Sequence, residues 1–332
     1  MIRINPSRAG RLQWLAAAML VTALPAAAQD KVTKGTNWKA EAEHGGYYQA
    51  VAAGIYAKFN LDVTIRQGGP NVDNTLLLAA GRIDFTMGGN NDEAFAFAEK
   101  SLPFLAVASI FQKDPQVIIS HPGQGNDTLP ALKGKKILVG KSGLQTYYPY
   151  LKKRFGFTDD MVLPYNFNPQ PFLADKSLSM QGYATSEPFA VMKAGVQPVV
   201  HLLADYGYAT YSTTIETSLK LVTEKPDLVQ RFVDASILGW KDYLFGNPKP
   251  GNDLIKKDNP EMADDQLEFS RQAMIKYGIV DSGDSKTLGI GAMTAQRWKQ
   301  SFEDAVAFGV YPATMDWQKA FTLQFVNKKV GL

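Results

Sequence analysis

From residue 30 to about residue 210 the chain switches repeatedly between two spacings of apolar residues, and this alternation limits its fold more than any other feature. In "NLDVTIRQG", Leu61, Val63 and Ile65 alternate with polar residues, the pattern of a half-buried strand. The preceding "GGYYQAVAAGIYAKF" carries Tyr48, Val51, Ala52, Ile55 and Phe59 at helical spacing. The same exchange continues. "NVDNTLLLAAG" reads as a helix and "RIDFTMGG" as a strand. "NDEAFAFAEK" reads as a helix capped by Asn91, and "PFLAVASIF" and "PQVIISH" as strands. A second block follows, with strands at "KKILVG", "SMQGY" and "QPVVHLLA" and helices between them. Strands separated by helices imply parallel sheets with helices on both faces, and two blocks imply two α/β lobes. After about residue 215 the pattern is mainly helical, and "NPKPGNDLIKKDNPE" reads as a surface connection rich in breakers.

The beginning of the chain follows a different logic. Arg3, Arg8 and Arg11 precede the apolar "LQWLAAAMLVTAL", and Ala26 and Ala28 then supply small residues for a cleavage site. This order predicts a secretory signal peptide over 1–28, with cleavage after Ala28 and a product in the periplasm. Those residues hold three of the 35 basic side chains and none of the 32 acids, so the remainder is balanced. A balanced chain offers no general surface for nucleic acid. There is no Cys, which excludes disulfides, thiolate nucleophiles and Cys-bound metals.

In sheets of this kind a ligand sits at the carboxyl ends of strands, beside helix N-termini. The less ordinary residues fall at such turns: 38–48, 68–74, 87–92, 141–147 and 181–188. The segment "AAGIYAKFNLDVTIRQGGPNVDNTLLLAAGRIDFTMG", followed in order by "LKGKKILVGKSG", "GYATSEPF" and "LVTEKPDLVQRFVDASI", resembles the periplasmic substrate-binding proteins of ABC importers. The resemblance is to the group that takes nitrate, sulfonates, taurine and thiamine-pyrimidine precursors, and it covers about residues 30–240. It implies a two-lobe α/β periplasmic binding protein (type II), with lobe 1 at 29–114 plus 212–332 and lobe 2 at 115–211. It also implies hinges near His121 and near Tyr208 to Ser212, a ligand in the inter-lobe cleft, and a monomer that delivers it to a permease and ATPase.

The resemblance places several residues of this chain in the cleft. Trp38 offers an aromatic wall or a core plug, and His44 beside Glu43 offers an imidazole to a ligand or a surface pair. Gly45 and Gly46 allow close backbone approach, and of Tyr47 and Tyr48 one should face the cleft and the other the core. Asn71, Asn90 and Asn91 are amide contacts or helix caps. In the second lobe Ser142, Gln145 and Thr146 present donors, Tyr183 a second aromatic face, and Glu187 a carboxylate for amino or ring N–H groups. These candidates include no Arg, which favours a flat, neutral or amine-bearing ligand such as a thiamine-pyrimidine precursor. Nitrate, a sulfonate or an aromatic acid remains the alternative. Fungal relatives that make a thiamine pyrimidine use a Cys-rich motif, which this chain lacks, so no catalytic residue, metal or cofactor is expected.

Overall fold

The structure is a computed structural model that describes residues 1–2, 28–69 and 71–332. The expected signal peptide therefore lies almost entirely outside the described residues. Among the described residues ten strands occur: β1 Asp30–Gly35, β2 Leu61–Arg66, β3 Phe85–Asn90, β4 Phe104–Phe111, β5 Gln116–Ser120, β6 Ile137–Val139, β7 Val162–Pro164, β8 Ser179–Tyr183, β9 Val199–Leu202 and β10 Ser212–Ser218. They form two five-stranded sheets of matching order, β2-β1-β3-β10-β4 and β7-β6-β8-β5-β9. Each sheet is parallel except for one antiparallel strand, β10 in the first and β5 in the second. The expectation of purely parallel sheets is corrected at those two strands.

Strand β10 is also where a helical stretch was expected to begin. Its sequence "STTIETS" has Ile215 as its only large apolar residue, yet it is buried along almost all its length. Two of its hydroxyls are satisfied internally: Thr214 Oγ1 donates to Glu216 Oε1 at 2.9 Å, and Thr217 Oγ1 donates to the Asp84 carbonyl at 2.7 Å, while Glu216 Oε2 is buried without a hydrogen-bond partner. Strand β4 ends the sheet, but it is covered. Ala106 bridges to Phe321, Thr322 N donates to the Ala106 carbonyl, and Ser109 N donates to the Gly291 carbonyl. An open edge is thus closed by the chain's own C-terminal segment.

The core of the first sheet is aromatic. Phe85 on β3 stacks on Phe232 of the helix Pro226–Phe245 with centroids 3.9 Å apart. Gly45 and Gly46 serve this packing and not a ligand. A Cβ on Gly46 would lie 2.2 Å from the Trp240 ring, and one on Gly45 would lie 2.2 Å from the Tyr243 ring. Only residues without side chains let the helix Gly45–Ala52 lie this close to Pro226–Phe245. The stretch expected as a surface connection forms the helix Lys249–Asp258 instead. Its prolines fall at the N-terminus, where a missing N–H is tolerated, and it buries Ile255.

The chain passes from the first sheet to the second across residues 112–115 and returns across 203–211. The second crossover overlaps the hinge expected near Tyr208. His121 does not lie at a crossover. It follows the far end of β5, stacks on Phe172 at 4.1 Å and bonds the Phe172 carbonyl through Nε2 at 2.7 Å.

Candidate functional site

A cavity of about 370 Å³ opens between the two sheets, within the range of small-molecule sites. The first sheet contributes Gly89 and Asn90 at the end of β3, then Asp92 and Glu93 in the first turn of the helix Asn91–Glu99. Asn90, not Asn91, caps that helix: its Oδ1 accepts from Asp92 N at 2.9 Å. The crossovers contribute Asp114 and Tyr208, and the start of β5 contributes Gln116. The second sheet contributes the turn after β6, with Ser142, Gln145, Thr146 and Tyr147, and Gln181 and Tyr183 on β8. Tyr311 closes one side, its hydroxyl donating to the Asp92 carbonyl at 2.8 Å.

The turn after β6 follows directly from its sequence. A Cβ on Gly143 would stand 2.7 Å from the Tyr147 ring and 2.9 Å from Gln181 Oε1. Glycine therefore lets the "KSG" turn sit down on those two side chains. Gln181 is held in turn, its Oε1 accepting from Tyr147 OH at 2.9 Å and from Gly140 N at 2.6 Å.

The electrostatics are one-sided. Among the described residues lining the cavity there is no Lys, Arg or His. Burial raises Asp92 to about 6. Burial, reinforced by Asp92, raises Asp114 to about 7 even though Gln116 N donates to it at 2.8 Å. Burial also raises Glu93, whose Oε2 accepts from Gly89 N at 3.2 Å. Next to the cavity, Glu187 Oε2 accepts from Tyr183 N at 2.7 Å, and burial raises Glu187 to about 7 with a smaller contribution from Glu43. An enclosed carboxylate with a raised pKa has lost hydration, and a ligand that donates hydrogen bonds can supply the missing interaction.

Of the residues singled out from the sequence, the cavity gathers Asn90, Ser142, Gln145, Thr146 and Tyr183. The others lie elsewhere. Trp38 is half-buried against Phe167, rings 5.8 Å apart, and is not in the cavity lining. Glu43 accepts a hydrogen bond from Thr185 Oγ1 and so joins the two sheets' layers. His44 is fully buried, with Nε2 3.1 Å from Asn37 Oδ1. Burial, with Lys34 nearby, lowers His44 to about 3, so it cannot serve as a cation for an anionic ligand. Tyr47 and Tyr48 are both core residues, contrary to the expected division. Tyr47 meets Trp240 edge-on, and Tyr48 OH donates to Asp258 Oδ2 at 3.0 Å. Asn71 is exposed and outside the cavity, and Asn91 is fully buried in the first helical turn. Glu187 sits behind Tyr183 rather than in the lining.

Sequence reasoning missed Asp114, Gln116, Tyr208 and Tyr311 as site residues. The "KDPQ" between two strands was a usable signal, because an Asp-Pro there marks the passage between sheets. Asp92 and Glu93 were visible, but as helix-end acids.

The sequence pattern described as NMT1/THI5 like matches residues 41–250. The chain belongs to the NMT1/THI5-like family. The riboflavin-binding protein RibY of Chloroflexus aurantiacus is 27% identical to this member over 308 residues, spanning 89% of this chain and 86% of RibY. Solved structures with the same fold include the periplasmic aliphatic sulphonate binding protein SsuA from Escherichia coli. It has a TM-score of 0.67 at 12% identity, over 88% of this chain and 91% of SsuA. The desulfurization enzyme DSZB is also similar, with a TM-score of 0.57 at 12% identity over 91% and 99% of the two chains. The architecture is thus the α/β periplasmic binding protein fold, and it is found in both binders and an enzyme.

Proposed function

We propose that this NMT1/THI5-like protein captures a planar nitrogen heterocycle that carries hydroxyl or amino donors and no anionic group, and passes it to the permease and ATPase of an ABC importer. The observation that carries this reading is the cavity itself, lined from both sheets by carboxylates and tyrosines and by no basic side chain. Carboxylates accept from hydroxyl, amino and ring N–H groups, and tyrosine faces suit a flat ring. A sulfonate or nitrate entering the same space would meet Asp92, Glu93 and Asp114 with no counter-charge. Riboflavin, the ligand named for RibY, fits this description, and so does an aminopyrimidine of the thiamine-precursor type.

Binding is favoured over catalysis by the lining. Ser142 and Thr146 are its aliphatic hydroxyls, and no imidazole lines the cavity to activate either. The lobes are taken as 29–114 plus 212–332 and 115–211, with closure over the ligand as the working motion. Export to the periplasm after cleavage at Ala28, and action as a monomer, complete the reading.

Isothermal titration of the purified protein with riboflavin, an aminopyrimidine and an alkanesulfonate tests it. Saturable binding of one of the two heterocycles, and none of the sulfonate, is expected. Tight binding of the sulfonate alone would overturn it.

A further inference from the structure

We propose that Arg297 is a positioning residue for this cavity: one guanidinium ties the two crossovers together and so fixes Asp114 and Tyr208 relative to each other. The proposal rests on reading the cavity as the ligand site.

Arg297 lies in the helix Ala295–Ala307, remote in sequence from every cavity residue but Tyr311. Its Nη2 donates to the Gln112 carbonyl, and its Nη1 to Gln112 Oε1 at 3.4 Å. The same group reaches the other crossover, with Nε donating to the Ala209 carbonyl at 3.3 Å and Nη2 to the Thr210 carbonyl at 3.3 Å. Asp114 stands two residues beyond Gln112, and Tyr208 immediately precedes Ala209, and both line the cavity. The guanidinium is itself fixed from behind. It lies over the Tyr211 ring at 3.9 Å, with Asp284 Oδ2 3.8 Å from Nη1. Tyr211 OH donates to Asp284 Oδ2 at 2.5 Å and accepts from Thr294 N at 3.0 Å.

The chemistry selects Arg for this task. Three backbone carbonyls on two separate segments need a planar fork of donors, which Lys cannot reproduce with one ammonium. The crossovers are also joined by Lys113 Nζ to Asp205 Oδ1 at 2.9 Å, but both partners there are substantially solvated. An exposed pair of that kind holds little.

Two measurements test the proposal. The chain contains no Cys, so Lys58→Cys in the first lobe and Lys153→Cys in the second can be spin-labelled uniquely. Pulsed dipolar spectroscopy without ligand should show a broader or shifted inter-lobe distance in Arg297→Met. Arg297→Lys should lie between that variant and the parent, and Lys113→Met should match the parent. Riboflavin titration is the second measurement. Arg297→Met should raise Kd about tenfold or more, equivalent to about 1.4 kcal/mol. In an Asp114→Asn background the same change should have an effect below about threefold, because coupled sites are not additive. Unchanged distances in both Arg297 variants, or a full tenfold loss that persists in Asp114→Asn, would overturn the proposal. The distance measurement uses no ligand. Failure of the parent to bind riboflavin would therefore refute the choice of ligand and leave the role of Arg297 to be decided by the distances.

Discussion

Glu187 should make this protein lose stability as the pH rises through neutrality, and Glu187→Gln should remove that loss. Burial is the main reason its carboxyl is raised from the ordinary value of about 4.5 to about 7, with repulsion from Glu43 adding to it. Between those values the folded chain holds a proton at this site that the unfolded chain has released. Stability from this group is therefore complete below about pH 4.5 and is lost as pH rises through about 7. The full shift corresponds to at most about 3 kcal/mol, and the part falling between about pH 5.5 and 8 to about 2 kcal/mol. Gln retains an amide oxygen for Tyr183 N, now 2.7 Å from the carboxylate, and it does not titrate. Denaturant melts of both proteins at about pH 5.5 and 8 measure the difference. Wild type should fall by about 2 kcal/mol more than Glu187→Gln over that interval. Parallel behaviour of the two would mean that Glu187 titrates as an ordinary solvated acid and that the enclosure argued for this side of the cavity is wrong.

Asp114→Asn should weaken heterocycle binding by about 1.5–3 kcal/mol if its carboxylate accepts from the ligand, and calorimetry reads the change directly. Trp38→Ala should weaken binding by no more than about 0.5–1.5 kcal/mol, since its contact is with Phe167 and not the cavity. A larger loss would return Trp38 to the ligand. Gly46→Ala should lower stability by about 1–3 kcal/mol or more in thermal melts, because its Cβ would meet the Trp240 ring at 2.2 Å. An unchanged melt would show that the two helices can separate freely.

The alternation of strands and helices was legible because each element repeats its own apolar period. Where polar residues pack inside, the signal failed. Strand β10 has hydroxyls and a carboxylate at buried positions, where its Thr214 and Thr217 hydroxyls bond to that carboxylate and to a neighbouring backbone carbonyl. The helix Lys249–Asp258 was concealed by prolines that break a helix only when they fall inside it. The site divides in the same way. Asn90, Ser142 and Tyr183 were legible because a sheet of this kind delivers the ends of β3, β6 and β8 to one cleft. Asp114 and Tyr208 were not, since the crossovers that carry them have no periodicity. Tyr311 reaches the cavity from beyond the helix Ala295–Ala307, a long-range contact that no local pattern encodes. The resemblance placed His44 and one of Tyr47 and Tyr48 in the cleft, whereas the start of the first helix buries all three in the core.

The same geometry explains how a fold shared with a sulphonate binder can present an acidic cavity. The beginning of a helix concentrates unpaired N–H groups and favours an anion. At two such positions beside the cavity the chain supplies its own anion. Glu93 accepts from Gly89 N before the helix Asn91–Glu99, and Glu187 accepts from Tyr183 N before the helix Glu187–Lys193. A free sulfonate would have to displace a tethered carboxylate at either place, and it would meet Asp92 and Asp114 as it did so. Filling those positions from within leaves acceptors facing the cavity. On the proposed reading a ligand is then selected by the donors it brings, and the charge preference follows from two glutamates in the first turns of their helices and not from the fold.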